Sequence, residues 1–325
     1  MKLFAHLLIN QFGLDPRVVE RGVRDTVLYG GSLVSNMLEL QLAPEEILLA
    51  ALSKRYGVPS FDLRELKIVA RAALAVPSEL MLKHNVIPLR QHGKMLELGV
   101  VDPHSRMAVA EVSSATGLLV KPFVVLESRL RELLEPLSHV VKPARAAPEP
   151  PRRVFSSAEE TKKALAVAAS RHDIGDIMLS FALRYFGRAI VFVHRKDLLI
   201  NWRHGTRAMK VDAPGYNFSP PEIASLHLPL NQPSAFKTVV ESAAPSIGPL
   251  PAGKVHDFFH AAMGGGGDWP ALIAPVMVFG RVINVVFGDA AGYLPSQAQR
   301  ADLMVGLAEA GDAYERLVRE RLALS

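Results

Sequence analysis

The sequence predicts an α+β protein of two domains: a helical front plus a small α/β unit over residues 1–140, then an antiparallel sheet flanked by helices over 155–325. Three observations carry this reading. In the first half the apolar period changes from helical to strand-like part-way along. The second half opens with helices, carries two strand pairs and closes on one long helix. Between them lies a linker at 141–154, where Lys142–Arg153 holds four prolines, four basic residues and one acidic residue, without a large apolar side chain. Such a stretch cannot bury a core and reads as a semi-extended spacer.

The front carries a weak internal repeat. Leu14-Asp15-Pro16-Arg17-Val18-Val19 is echoed 28 residues later by Leu42-Ala43-Pro44-Glu45-Glu46-Ile47. Asp15-Pro16 starts a helix with proline where no backbone N–H is needed. Val19 with Val23, and Ile47 with Ala51, stand four apart on one helical face. Gly57 and Pro59 stop the second of these helices. Val86–Leu89 and Met95–Val101 then read as strands across the turn His92-Gly93-Lys94. Asp102-Pro103 begins a helix to about Thr116, Leu118–Val125 is a strand, and Glu127–Leu137 is a helix.

These segments carry a resemblance. Ala50–Leu63, read AALSKRYGVPSFDL, is followed in order by Val76-Pro77-Ser78-Glu79-Leu80, His84–Leu89 and Leu96–Pro103. The ordered set, over roughly 5–137, resembles the MshEN-like N-terminal domains of type II secretion and type IV pilus assembly ATPases. The resemblance implies protein partners in a pilus or secretion machine, since such domains dock their ATPases onto inner-membrane platform components. In that family a motor domain follows; here no Walker A loop and no acidic Walker B strand follow residue 155.

Some members of the family bind cyclic di-GMP through the tandem repeat. Their pattern needs an Arg-Leu-Gly lead, a Gly mid-way and a Gln near the end of each helix. This chain has Leu3-Phe4-Ala5 at the first lead, Phe12 at the mid-way Gly and Thr26 for the Gln. In the second repeat Gly31 stands for the lead Gly and Lys54 for the Gln, which leaves those two as candidate nucleotide-binding residues. The lost glycines remove close backbone approach, and the lost arginines remove a bidentate partner. A helix-packing repeat without ligand is therefore the expectation, with the cyclic dinucleotide as alternative.

In the second half, Ser156–Glu160 gives a Ser-x-x-Glu helix start. A helix follows over Ile174–Phe186, with Asp173 as its N-cap and Ile174, Ile177, Met178, Phe181, Ala182 and Tyr185 on one apolar face. Arg188–His194 is a buried strand that turns at Lys196-Asp197 into Leu198–Trp202. Ala271–Val278 and Val282–Asp289 form a hairpin across Gly280-Arg281, and a helix runs from about Ser296 to Leu322. The order resembles a GAF-type sensor domain, which implies a small-ligand pocket over the sheet or dimerisation through terminal helices. On the last helix Leu303, Leu307, Ala310, Tyr314 and Leu317 recur near the 3.5-residue spacing of a two-helix seam. That predicts a homodimer; the alternative is that the stripe packs on its own sheet.

Several motifs imitate chemistry. Gly248–Val255, read GPLPAGKV, departs from a Walker loop at Val255, which has no hydroxyl for Mg²⁺. Its two prolines remove N–H donors that would cradle phosphate, so it reads as a surface turn. His256 and His260 stand at i and i+4, the spacing of a zinc pair, but Asp257 replaces the expected Glu and no third ligand is signalled. They read as surface histidines on a helix that buries Phe258 or Phe259. Met263–Asp268 reads as a Gly-rich loop ahead of the strand after Trp269-Pro270. Asp173 and Asp176 flank Gly175 without forming a catalytic pair.

Bulk composition bounds the rest. With 325 residues, 49% hydrophobic and 21% charged, the chain can bury sizeable cores. It has no cysteine, which excludes disulfides, thiolate metal sites and thiol catalysis. The net charge of +5 is small for this length and lacks a basic-aromatic stripe, which speaks against nucleic acid. No signal peptide or membrane span is visible, so a cytoplasmic location is expected. The reading is a non-catalytic regulator or adaptor related to pilus and secretion systems, possessing no catalytic residue, metal or cofactor. The alternatives are a cyclic di-GMP effector and a hydrolase or metal-dependent enzyme housed in the second domain.

Overall fold

A computed structural model of the chain describes residues 2–66, 76–138, 157–207, 221–264, 269–290 and 292–323. The linker at 141–154 lies outside the described residues, as do Ser156 and most of the Gly-rich loop. The chain divides into two compact units, one of residues 1–26, 31–145 and 321–325, the other of 27–30 and 146–320.

The first unit begins with α1 (Lys2–Asn10), α2 (Pro16–Tyr29), α3 (Leu33–Glu39) and α4 (Glu45–Tyr56). Pro16 opens α2 as the sequence predicts, and Gly57 closes α4 at φ 66°. Phe4, Leu8, Val19, Val23, Leu33, Met37, Leu48 and Leu52 meet in one buried cluster. After a 3₁₀ turn at Leu63–Glu65 come α5 (Ser78–His84), β1 (Val86–His92), β2 (Met95–Val100), α6 (Arg106–Thr116), β3 (Leu119–Val124) and α7 (Glu127–Ser138). Strands β1 and β2 pair antiparallel, and α6 carries the chain across to β3, which lies parallel to β2. A second cluster forms here from Leu89, Leu96, Leu98, Val112, Leu130 and Leu134. Two small cores thus stabilise this unit.

The second unit holds α8 (Ala158–Ala166), α9 (Arg171–Tyr185), β4 (Arg188–Arg195), β5 (Leu198–Thr206), β6 (His227–Pro229), α10 (Ala235–Ser242), β7 (Ser246–Pro249), α11 (Lys254–Ala262), β8 (Pro270–Val278), β9 (Arg281–Asp289) and α12 (Gln297–Ala323). Its six strands form one antiparallel sheet in the order β6-β5-β4-β9-β8-β7. Alternate residues of a strand point to opposite faces. Ile190, Phe192, Val285 and Phe287 therefore share one face, where they meet Phe236 of α10 and Phe259 of α11. The opposite face takes α9 and α12: a Cβ at Gly288 would clash with the Phe186 ring, and one at Gly311 would clash with the Met277 carbonyl oxygen. Gly311 is needed because the helix approaches strand backbone that closely.

Four local expectations are corrected. Helix α9 starts at Arg171, three residues early, because Ser170 is the N-cap and Asp173 the third residue of a reciprocal capping box. The β8–β9 turn is Phe279-Gly280, at φ 48° and 72°, the left-handed pair that a two-residue hairpin requires. GPLPAGKV is not all turn: Ser246–Pro249 is edge strand β7, where proline is tolerated because one side of the strand is unpaired. Finally, Leu303, Leu307, Ala310, Tyr314 and Leu317 are each at most 3% exposed within the single chain. The apolar stripe of α12 is core, so it offers no face for the predicted homodimer seam.

Candidate functional site

A cleft of about 880 Å³ opens in the first unit. It is lined from α3, α4, the 3₁₀ turn, α5 and α7, and its apolar lining includes Leu38, Leu82 and Leu134. Glu45 organises the charge. It stands in the first turn of α4, where the helix dipole favours a carboxylate, and its side chain is only 6% exposed. Arg129 Nε of α7 donates to Glu45 Oε1 at 2.7 Å. Arg64 Nε stands 2.8 Å from Glu45 Oε2, an ion-pair contact off the hydrogen-bond axis.

One buried carboxylate thereby holds two guanidinium groups at the mouth of the cleft. Arg64 also bonds Asp62 and Glu46, both through Nη2 at 2.6 Å, and Arg129 Nη1 bonds Glu132 at 2.9 Å. The Arg64 hydrogen bond holds Asp62 and Glu46 below the usual carboxylate range. The carboxylates of Glu132 and then Glu45 push Arg129 up. Arg131 pairs with Glu127 one helical turn away. Arginine forks fixed in this way present oriented donors for carboxylate or amide groups of an incoming partner.

The predicted nucleotide residues are elsewhere in this unit and on separate elements. Gly31 adopts φ 79° just before Ser32, the N-cap of α3. Lys54 lies exposed in the last turn of α4, with no ion pair or hydrogen bond among the described residues. Thr26, at the first Gln place, is committed internally: its hydroxyl donates to Gly22 O at 2.8 Å and accepts from Asn36 Nδ2 at 3.0 Å. Sequence reasoning missed the Glu45 network. Acidic residues after Pro44 and the Asp62-x-Arg64 pair are visible signals, but the arginine that completes it is 84 residues away.

In the second unit, among the described residues, aromatic rings pack over one face of the sheet, the side on which a sensor pocket is expected. Phe259 stacks edge-on against Phe236 and Phe287 at centroid distances of 5.1 and 4.8 Å, and Phe236 meets Phe192 at 5.8 Å. A small crevice beside it holds Arg188 and Asp289, buried together at 2.9 Å. His256 is 2% exposed rather than a surface residue, because its ring is drawn under α10. Among the described residues no group of three His, Cys, Asp or Glu side chains is placed to hold a metal. Nor is any described helix long and apolar enough to cross a membrane.

Comparison with known proteins adds the family. A model of the MshEN domain matches residues 56–143. Residues 56–143 are an MshEN domain. The Myxococcus xanthus type IV pilus assembly ATPase PilB is 33% identical over 131 residues, 40% of this chain and 23% of that protein. The chain spans less than a quarter of the length of each curated pilus ATPase it matches. The MshEN domain is thus homologous to the N-terminal region of those ATPases. Among solved structures, MshE with cdg is 16% identical and covers 41% of this chain and 96% of its own, at a TM-score of 0.33. The GAF-B domain of DevS from Mycobacterium smegmatis is 17% identical over 46% of this chain and 96% of its own, at 0.35.

Proposed function

We propose that the protein is a non-catalytic adaptor or regulator of a type IV pilus or type II secretion machine, docking through its MshEN-bearing unit. The observation that supports this is the pairing of an MshEN domain at 56–143 with a following sequence that lacks Walker motifs. The Glu45-anchored arginines, Arg64 and Arg129, supply oriented donors within that domain, suited to a polar protein surface. The partners are cytoplasmic segments of the inner-membrane platform, reached from the cytoplasmic side. Calorimetry of the full chain against purified platform segments is expected to give micromolar or tighter binding, about −8 kcal/mol or better, weakened by Arg64→Met. Absence of binding to every platform segment overturns the proposal. A parallel titration with cyclic di-GMP tests the alternative occupant, for which Gly31 and Lys54 remain the candidate contacts.

A further inference from the structure

We propose that α11 is a pH-gated lid over the aromatic cluster, latched to the N-terminus of α10 by the neutral imidazole of His256. The latch is geometric. Ala235 is the first residue of α10, and its backbone N–H donates to His256 Nε2 at 3.0 Å. A backbone N–H can only donate, so Nε2 is unprotonated and the ring's proton is on Nδ1. Ser234 Oγ accepts from Lys237 N at 3.1 Å in the same first turn. Two orphan donors of α10 are therefore satisfied, one by its own N-cap and one by a side chain of α11.

Protonation of Nε2 removes that acceptor and sets N–H against N–H. It also places a cation at the positive end of α10, where the helix dipole opposes it. Burial already lowers the affinity of His256 for a proton, and His260 adds to this, while the Pro251 backbone and Asp257 act the other way. The other charged groups nearby do not compensate. Lys237 and Glu241 on α10 pair with each other at 3.7 Å, His227 on β6 is exposed, and Lys254 and Asp257 lie on the exposed side of α11. Arg188 and Asp289, which line the crevice with His260, neutralise one another.

What the latch holds shut follows from the same helix. Three residues beyond His256 is Phe259, 1% exposed, which touches Phe192, Phe236 and Phe287. Release of α11 withdraws that ring and exposes an apolar, aromatic-lined surface over the sheet. Because the folded protein binds this proton less readily than the unfolded chain, the latch is intact above about pH 6.5 and is lost as pH falls below it.

The test uses the full chain and the dye 8-anilinonaphthalene-1-sulfonate, which brightens on exposed apolar surface. Emission is expected to rise several-fold between about pH 8 and about pH 4.5 while far-ultraviolet circular dichroism is unchanged. His256→Gln, whose amide oxygen still accepts from Ala235 but does not titrate, should abolish the rise, and His260→Gln should keep it. An unchanged rise in His256→Gln, or no rise in the unmodified protein, overturns the lid. If His256→Gln fails to fold, the His256 ring resonances of the unmodified protein decide instead. Titration below about pH 6.5 supports the latch, and titration at or above it overturns it.

Discussion

The two sheets of this molecule treat their surroundings differently. In the first unit the outer end of β1 is exposed from Arg90 to His92, and β3 is exposed or half-buried at every residue before Val124. In the second, β4, β8 and β9 are buried over six or more consecutive residues, which requires cover on both faces. Charge follows the same division. Glu45 is buried, yet its partners Arg64 and Arg129 have side chains 46% and 38% exposed. Arg188 and Asp289 are 3% and 4% exposed and have no such outlet. The first arrangement leaves its arginines open to water; the second ties strand β4 to β9 and, through Arg188 Nη1 and the Met263 carbonyl, to the end of α11.

The comparison breaks first at α12. Leu307→Asp with Leu317→Asp places two carboxylates in the interior of the second unit, where each replaces a side chain at most 3% exposed. Burying an unpaired charge costs several kcal/mol, a large fraction of a typical domain's stability. Loss of cooperative thermal unfolding is the expected result. Monomers that stay folded, formed from a dimeric unmodified chain, would instead restore the seam reading.

How much of this was legible in the sequence depends on the range of the interaction. Most helices and strands read correctly because their signals are local: Pro16 at a helix start, Gly57 in the left-handed conformation at an end, the largely apolar run of Val282–Phe287. The start of α9 was misplaced because Ser170 and Asp173 both suit a cap, and only the pair of reciprocal hydrogen bonds ranks them. The stripe on α12 has the same spacing whether its partner is another helix or its own sheet. Gly306 and Gly311, interspersed along it, were the overlooked clue, since they admit Phe181 and the Met277 backbone. The cleft was illegible for a simpler reason: Glu45, Arg64 and Arg129 come together only in the fold.

The sharper comparison is between two arginines. Arg188→Met leaves the Asp289 carboxylate in the core with its principal partner gone, which is expected to cost about 3–5 kcal/mol. Arg64→Met leaves Glu45 its Arg129 partner, and Asp62 and Glu46 can turn to water. The expected loss there is about 1 kcal/mol or less, as for exposed ion pairs, and it should shrink further in high salt. Urea denaturation of both variants reads the difference. Equal losses would mean that the cleft network is as structural as the strand pair, which would remove its availability for binding.

The smallest effect belongs to Lys254. The surrounding order of strand, turn and helix imitates a phosphate loop more closely in three dimensions than on paper, since β7 leads through Leu250–Gly253 into α11. The chemistry differs at each step. Strand β7 is a four-residue edge paired only with β8, Pro249 and Pro251 carry no N–H, and Val255 is buried in the aromatic cluster. Lys254 itself is exposed at the first position of α11, where the helix dipole disfavours a cation. Lys254→Ala is therefore expected to change stability by less than about 0.5 kcal/mol, in the favourable direction if at all. Phosphate release from ATP should stay at the buffer background in both proteins. Turnover that is measurable in the parent and lost with Lys254 would make the second unit an enzyme.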